Sequence, residues 1–229
     1  MAPLYACLLV GSFSVPFLYT VLKQDFIKNW KEFIVSTTVV ALFFLGWDYI
    51  FTERGVWGFN LDYCLGIEFS GMPLEEWLFF FIIPFCSLFA HFALFSFLPS
   101  LSLSKGVTMV LSLVVISVSL ILALVYIQRD YTFINFLVLA VVMFAGLVFQ
   151  IETLQRFFIS FLLILIPFFI VNGTLTGMFT GEPVVWYNDK ENLGLRIVSI
   201  PVEDIGYAFS MLFSNLFIYK IICRLSVNK

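Results

Sequence analysis

Four acidic side chains stand where acids are expensive. Met72-Pro73-Leu74-Glu75-Glu76-Trp77 puts two adjacent carboxylates at the mouth of an apolar stretch running from Trp77 to Leu98. Ile200-Pro201-Val202-Glu203-Asp204-Ile205 repeats the arrangement at a second apolar stretch. Ionisable groups entering hydrocarbon mark function by default. A proline at a helix start with acids in the first turn also complements the helix dipole, so a single copy would explain itself structurally. The feature is doubled, however, and each copy carries two acids where one would satisfy the dipole. Aromatic residues follow at once: Trp77, Phe79, Phe80 and Phe81 in one copy, Tyr207 and Phe209 in the other. Helical spacing puts Glu76 on one face with Phe79, Phe80 and Ile83, and Asp204 on one face with Tyr207. Burial and a like-charged neighbour favour the protonated form of a carboxyl, although a helix N-terminus opposes this. Such an acid beside an aromatic wall suits proton donation to an alkene, and ring faces stabilise the resulting cation.

The elements that must position these acids are membrane helices. Of 229 residues, 62% are hydrophobic and 12% charged, with a mean hydropathy of +1.05; soluble domains run at about 45–50% and about 25%. A net charge of −3 gives no basic surface for nucleic acid. Segments of about 20 apolar residues span a bilayer, and seven are expected: Pro3–Leu22, with Pro16 placed to kink it, Phe33–Phe51, Glu75–Leu98, Gly106–Ile127, Tyr131–Gln150, Phe157 to about Thr174, and Pro201–Cys223. The first lacks a positive leading region and reads as a retained helix. With the N-terminus outside and the C-terminus cytoplasmic, the inner segments hold Lys23, Lys28, Lys31, Lys105, Arg156, Lys220, Arg224 and Lys229, and the outer ones Arg54, Arg129, Lys190 and Arg196, which is the favoured bias. Both acid motifs then open on the same face.

The chain repeats itself. Gly66-Ile67-x-Phe69-x-x-Met72-Pro73-Leu74-Glu75-Glu76 matches Gly194-Leu195-x-Ile197-x-x-Ile200-Pro201-Val202-Glu203-Asp204 at a displacement of 128, as do Asn60 and Asn188. One residue of slippage upstream aligns Trp57 with Trp186 and Glu53 with Glu182. The expectation is an all-α membrane protein of seven transmembrane helices: a first three-span repeat over 1–99, a linking transmembrane helix over 100–130 and a second three-span repeat over 131–229. A single linking span makes the repeats parallel.

Other residues invite weaker readings. Trp57, Trp186, Asn60 and Asn188 lie in the loops before the acid helices, where interfacial anchoring and Asx turns compete with loops that fold over the site and hold the acids by hydrogen bonds. Glu53 and Glu182 read as solvated. Asp48, near the end of the second span, is equally a structural acid or a site residue. His91, 15 residues beyond Glu76, lies about 22 Å along a helix and reads as structural. Cys7, Cys64, Cys86 and Cys223 have no ligand spacing, so no metal site is expected, and no nucleotide-binding or zinc-protease motif is present.

Pro73-Leu74-Glu75-Glu76 and Pro201-Val202-Glu203-Asp204, one before each of two three-span units and supported by Trp57, Asn60, Trp186 and Asn188, resemble the lycopene cyclase domain family, in its tandem-fused form. The resemblance covers essentially the whole chain. It implies a multi-pass cell-membrane enzyme of carotenoid biosynthesis, an intramolecular lyase that closes the linear ψ-ends of lycopene into β-ionone rings without net redox and without a cofactor. It implies that Glu75, Glu76, Glu203 and Asp204 supply acid and base across the repeat interface, with Trp77, Phe79, Phe80, Tyr207, Trp57, Asn60, Trp186 and Asn188 around the substrate. The partners it implies are an apolar carotenoid, the lipid bilayer and other enzymes of carotenoid biosynthesis. Asp204 stands where the first copy has Glu76, so the two copies need not act alike. A cyclase of longer, prenylated carotenoids stays open from within the family. A two-repeat transporter and a non-catalytic scaffold stay open from outside it.

Overall fold

A computed structural model describes residues 3–22, 27 and 29–227. Among these, seven helices are long and apolar enough to cross a membrane: α1 (Leu4–Leu22), α2 (Trp30–Glu53), α3 (Leu74–Phe97), α4 (Lys105–Val125), α5 (Asp130–Phe149), α6 (Ile151–Leu175) and α7 (Glu203–Val227). They match the seven expected spans, with α6 starting about two turns earlier, because Ile151–Arg156 continues the helix on the polar side of Phe157. Pro16 sits inside a continuous α1, a position membrane helices tolerate. Of the basic residues used to orient the chain, Lys23, Lys28 and Lys229 lie outside the described residues.

Extra-membrane structure is concentrated in the two loops that precede the acid motifs. The first carries β1 (Trp57–Phe59), a 3-10 turn over Leu61–Tyr63, and a hairpin of β2 (Glu68–Phe69) with β3 (Met72–Pro73). The second carries β4 (Val185–Tyr187) and a hairpin of β5 (Arg196–Ile197) with β6 (Ile200–Pro201). Strands β1 and β4 pair antiparallel, Gly58 opposite Trp186. The two loops therefore form one cap, and both acid motifs open beneath it.

The repeat is visible hydrogen bond by hydrogen bond. Leu74 N donates to Ile67 O and Val202 N to Leu195 O; Asn60 N donates to Val184 O and Asn188 N to Val56 O. All of these obey the displacement of 128, with no slippage at the strands. Trp186 is therefore the counterpart of Gly58 rather than of Trp57, and Trp57 that of Val185. The similarity of the two tryptophans along the chain does not survive because strand pairing, not residue type, fixes register. Gly58 lets the strands close: a Cβ there would collide with the Trp186 indole, so one of the two would have to shift.

In the second helix of each repeat the displacement is 124. Val56 N donates to Phe51 O as Val184 N donates to Leu175 O, and buried Phe33, Ser36 and Val40 correspond to buried Phe157, Ser160 and Ile164. The loop after α6 absorbs the difference with four extra residues. Each of these helices also reaches the third helix of the other repeat. Ser36 and Thr37 on α2 donate to Asn215 on α7, and Ser160 on α6 pairs with His91 on α3 at 2.7 Å. Such bonds between membrane helices contribute about 0.6 kcal/mol each. His91 is thereby a buried inter-helix contact. The pairings α1 on α3, α5 on α7, α2 on α7 and α6 on α3 describe two interlocked three-helix units, with α4 against α5.

Candidate active site

Helix α3 begins directly after Pro73, whose extended backbone (φ −66°, ψ 150°) ends β3 and starts the helix. Two adjacent first-turn acids then point in different directions, and the structure separates their surroundings. Glu75 Oε1 accepts the Leu65 amide at 2.6 Å; Glu203 Oε1 accepts the Leu193 amide at 2.7 Å and the Thr132 hydroxyl at 2.7 Å. These two acids tie the capping loops to the helices.

The second acid of each pair faces a cavity of about 360 Å³ between the repeats. Glu76 and Asp204 both line it, as does Asp48. All three carboxyl groups are buried. The wall runs along α3 from Glu76 to Ala90, about 21 Å at 1.5 Å per residue. Below the acids it is almost entirely apolar, with Ile83 and Phe89 of α3, Ile164, Pro167 and Phe168 of α6, and Met211 and Leu212 of α7. Aromatic rings crowd the acid end: Trp57, Phe59, Phe79, Tyr131, Tyr187 and Tyr207. Trp57 packs edge-on to Tyr131 at 5.1 Å, and Tyr207 lies 5.0 Å from Trp47.

The two halves of the site are related by the repeat but not equivalent. Asp204 accepts three hydrogen bonds, from Tyr131 Oη at 2.5 Å, Asn172 Nδ2 at 2.8 Å and Tyr187 Oη at 3.0 Å. Glu76 accepts one, from Tyr5 Oη at 2.5 Å. Tyr5 and Tyr131 are counterparts in the first turns of α1 and α5. The other two donors have no equivalent in the first half, where Tyr187 becomes Phe59 and Asn172 becomes Asp48. Burial, and then the adjacent Asp204 charge, hold the Tyr187 phenol well above its ordinary value, so it remains a donor. Asp48 Oδ1 accepts the Trp57 indole N–H at 2.5 Å.

Of the residues singled out from the sequence, Glu76, Asp204, Trp57, Phe79 and Tyr207 meet at this cavity, with Asp48 beside them. Glu75 and Glu203 sit behind it. Phe80 turns into the helical core. Trp77 reaches the Phe69 carbonyl at 3.3 Å, and Trp186 is 42% exposed over Gly58. Asn60 and Asn188 close matching turns by accepting the amides of Asp62 and Lys190, each at 3.1 Å. Glu53 and Glu182 are exposed. Sequence reasoning passed over Tyr5, Tyr131, Asn172 and Tyr187. The tyrosine pair was accessible as a shared first-turn residue of spans one and five; Asn172 required the separate 124-residue register.

No curated protein and no solved structure matches the chain. The sequence model of the lycopene cyclase family matches it twice, over residues 2–94 and 128–222. Those two stretches are the two three-helix units that enclose the cavity, and on a match of this extent the chain belongs to the lycopene cyclase family.

Proposed function

We propose that this carotenoid cyclase acts on lycopene, closing its ψ-ends to β-ionone rings by acid–base chemistry between Glu76 and Asp204, as an intramolecular lyase. The observation that carries the reading is the unequal hydrogen bonding, from described residues, of two counterpart acids on one apolar cavity. Three donors around Asp204 suit a carboxylate, whereas Glu76, with one donor on Oε2, has Oε1 available to carry a proton. Glu76 transfers that proton to the terminal double bond of the substrate. The tertiary cation left behind is attacked by the nearby alkene, closing a six-membered ring, and Asp204 removes a ring proton to leave the β-type double bond. Proton count and oxidation state are unchanged. The rings of Trp57, Phe79 and Tyr207 stabilise the cation, and the dry wall keeps water from capturing it.

A slot about 21 Å deep takes one end of a linear polyene with part of its chain. With both repeats spent on one cavity, the two ends of lycopene react in successive binding events. The capping loops lie on the outer face, with the C-terminus cytoplasmic, in line with the Lys and Arg bias; a C-terminal reporter fusion active only in the cytoplasm tests this. Expression in a lycopene-accumulating host, with chromatography of the pigments, tests the activity. Monocyclic and bicyclic β-ring products are expected. Unchanged lycopene despite confirmed membrane insertion would refute the reading.

A further inference from the structure

The repeat puts an acid where its counterpart half has an amide. Asn172 and Asp48 occupy equivalent places three residues before Leu175 and Phe51, whose carbonyls accept matching amides from Val184 and Val56. Asn172 donates to Asp204. By the same relation Asp48 belongs to the Glu76 half of the cavity, which both acids line. Asp48 is 2% exposed. Its Oδ1 is occupied by Trp57, and its Oδ2 is buried and receives no hydrogen bond from any described residue. No Lys, Arg or His is among the described residues lining the cavity. Three carboxylates with no cation in one apolar cavity are untenable, so protons must reside on the acids with the fewest donors.

We propose that Asp48 is a third acid of the site, protonated on Oδ2 at rest, that returns a proton to Glu76 between turnovers; this rests on the acid–base roles given above. In one cycle Glu76 loses a proton to the substrate and Asp204 gains one from the ring. The Asp48 Oδ2–H bond then breaks as an O–H bond re-forms on Glu76, leaving Asp48 as carboxylate. Asp204 then gives up the proton it gained as Asp48 takes one up, so all three groups are restored and the proton count is unchanged. With Oδ2 covered, Asp48 passes its proton through Glu76 and makes no direct transfer to the polyene.

Asp48→Asn tests this without disturbing the fold, because the Asn carbonyl still accepts from Trp57 and Asn is what the other repeat uses. In membranes supplied with lycopene, the variant should form about one ring per enzyme at the wild-type rate and then slow at least tenfold, with Asp48→Glu restoring turnover. Wild-type steady-state turnover in Asp48→Asn, or a uniformly slow reaction with no first-ring burst, overturns the proposal. Infrared spectra of the membranes provide a readout independent of activity: beside the band of the Glu76 carboxyl, which only Glu76→Gln removes, a second protonated-carboxyl C=O band, sensitive to deuterium exchange, should be present in the wild type, in Glu76→Gln and in Glu203→Gln and absent from Asp48→Asn. A wild type without that second band, or its survival in Asp48→Asn, overturns it too. A wild type that shows the second band but forms no rings removes the function reading and leaves the assignment of the proton to Asp48 standing.

Discussion

At the residue scale, the doubled acid pair divides by task. Glu75 and Glu203 anchor backbone amides of the capping loops; Glu76 and Asp204 face the cavity between the repeats. Gln keeps a carbonyl that can accept from Leu65 or Leu193, so Glu75→Gln and Glu203→Gln should retain most activity, whereas alanine at either position should lower the amount of folded protein in the membrane. Glu76→Gln removes the acidic proton and should cost about 10²–10⁴-fold in ring formation. Tyr187→Phe removes one donor from Asp204 and should cost about tenfold, the size expected of a hydrogen bond to a charged group. Cys64, pushed up to about 12 by burial and by Glu75 and Glu76, stays a neutral thiol at neutral pH, since its thiolate forms only as pH rises towards that value. Its maleimide labelling should therefore be slow until the cap is denatured. The acids were legible in the sequence because Pro-x-Glu-Glu/Asp recurs. Which member of each pair faces the cavity was not, because neighbours one residue apart on a helix differ by about 100° of rotation and only packing fixes which direction is the cavity.

At the scale of elements, the cap decides what can sit above the acids. Strands β1 and β4 meet at Gly58 and Trp186, and the indole occupies the space a Cβ would need. Gly58→Ala should shift β1 and with it Trp57, whose indole holds Asp48. The expected cost is about 1–3 kcal/mol, read as a lower melting temperature in detergent together with reduced ring formation. A variant as stable and active as the wild type would mean the strand contact tolerates movement. The starts of the acid helices were legible from the 128-residue repeat; the hairpins before them were not, because strands of two residues are too short to show an alternating pattern. The register of β1 on β4 was not, because Trp57 and Trp186 resemble each other along the chain while the hydrogen bonds pair each with a different residue.

At the scale of the whole molecule, neither three-helix unit closes the site alone: Glu76 comes from α3, Asp204 and Tyr207 from α7, and Asn172 from α6. We propose that residues 1–99 and 131–229 are the two cyclase repeats and 100–130 the link between them. The exposed turn at Leu98–Ser100 is then a permissible break. Co-expressed halves cut there should cyclise, and either half alone should not; activity from one half would place the site within a single repeat. Seven spans and two repeats were readable from hydropathy and self-similarity. The interlocking of α2 with α7 and of α6 with α3 was not, because side-chain contacts between repeats leave no trace in the periodicity of either.

The central claim is that Glu76 and Asp204, from different repeats, are the reacting acids. The most direct measurement is the pigment profile of a lycopene-accumulating host expressing Glu76→Gln, Asp204→Asn, Glu75→Gln and Glu203→Gln at matched membrane levels. Linear lycopene is expected from the first two and cyclic carotenoids from the last two. Wild-type ring yields from Glu76→Gln and Asp204→Asn would contradict it.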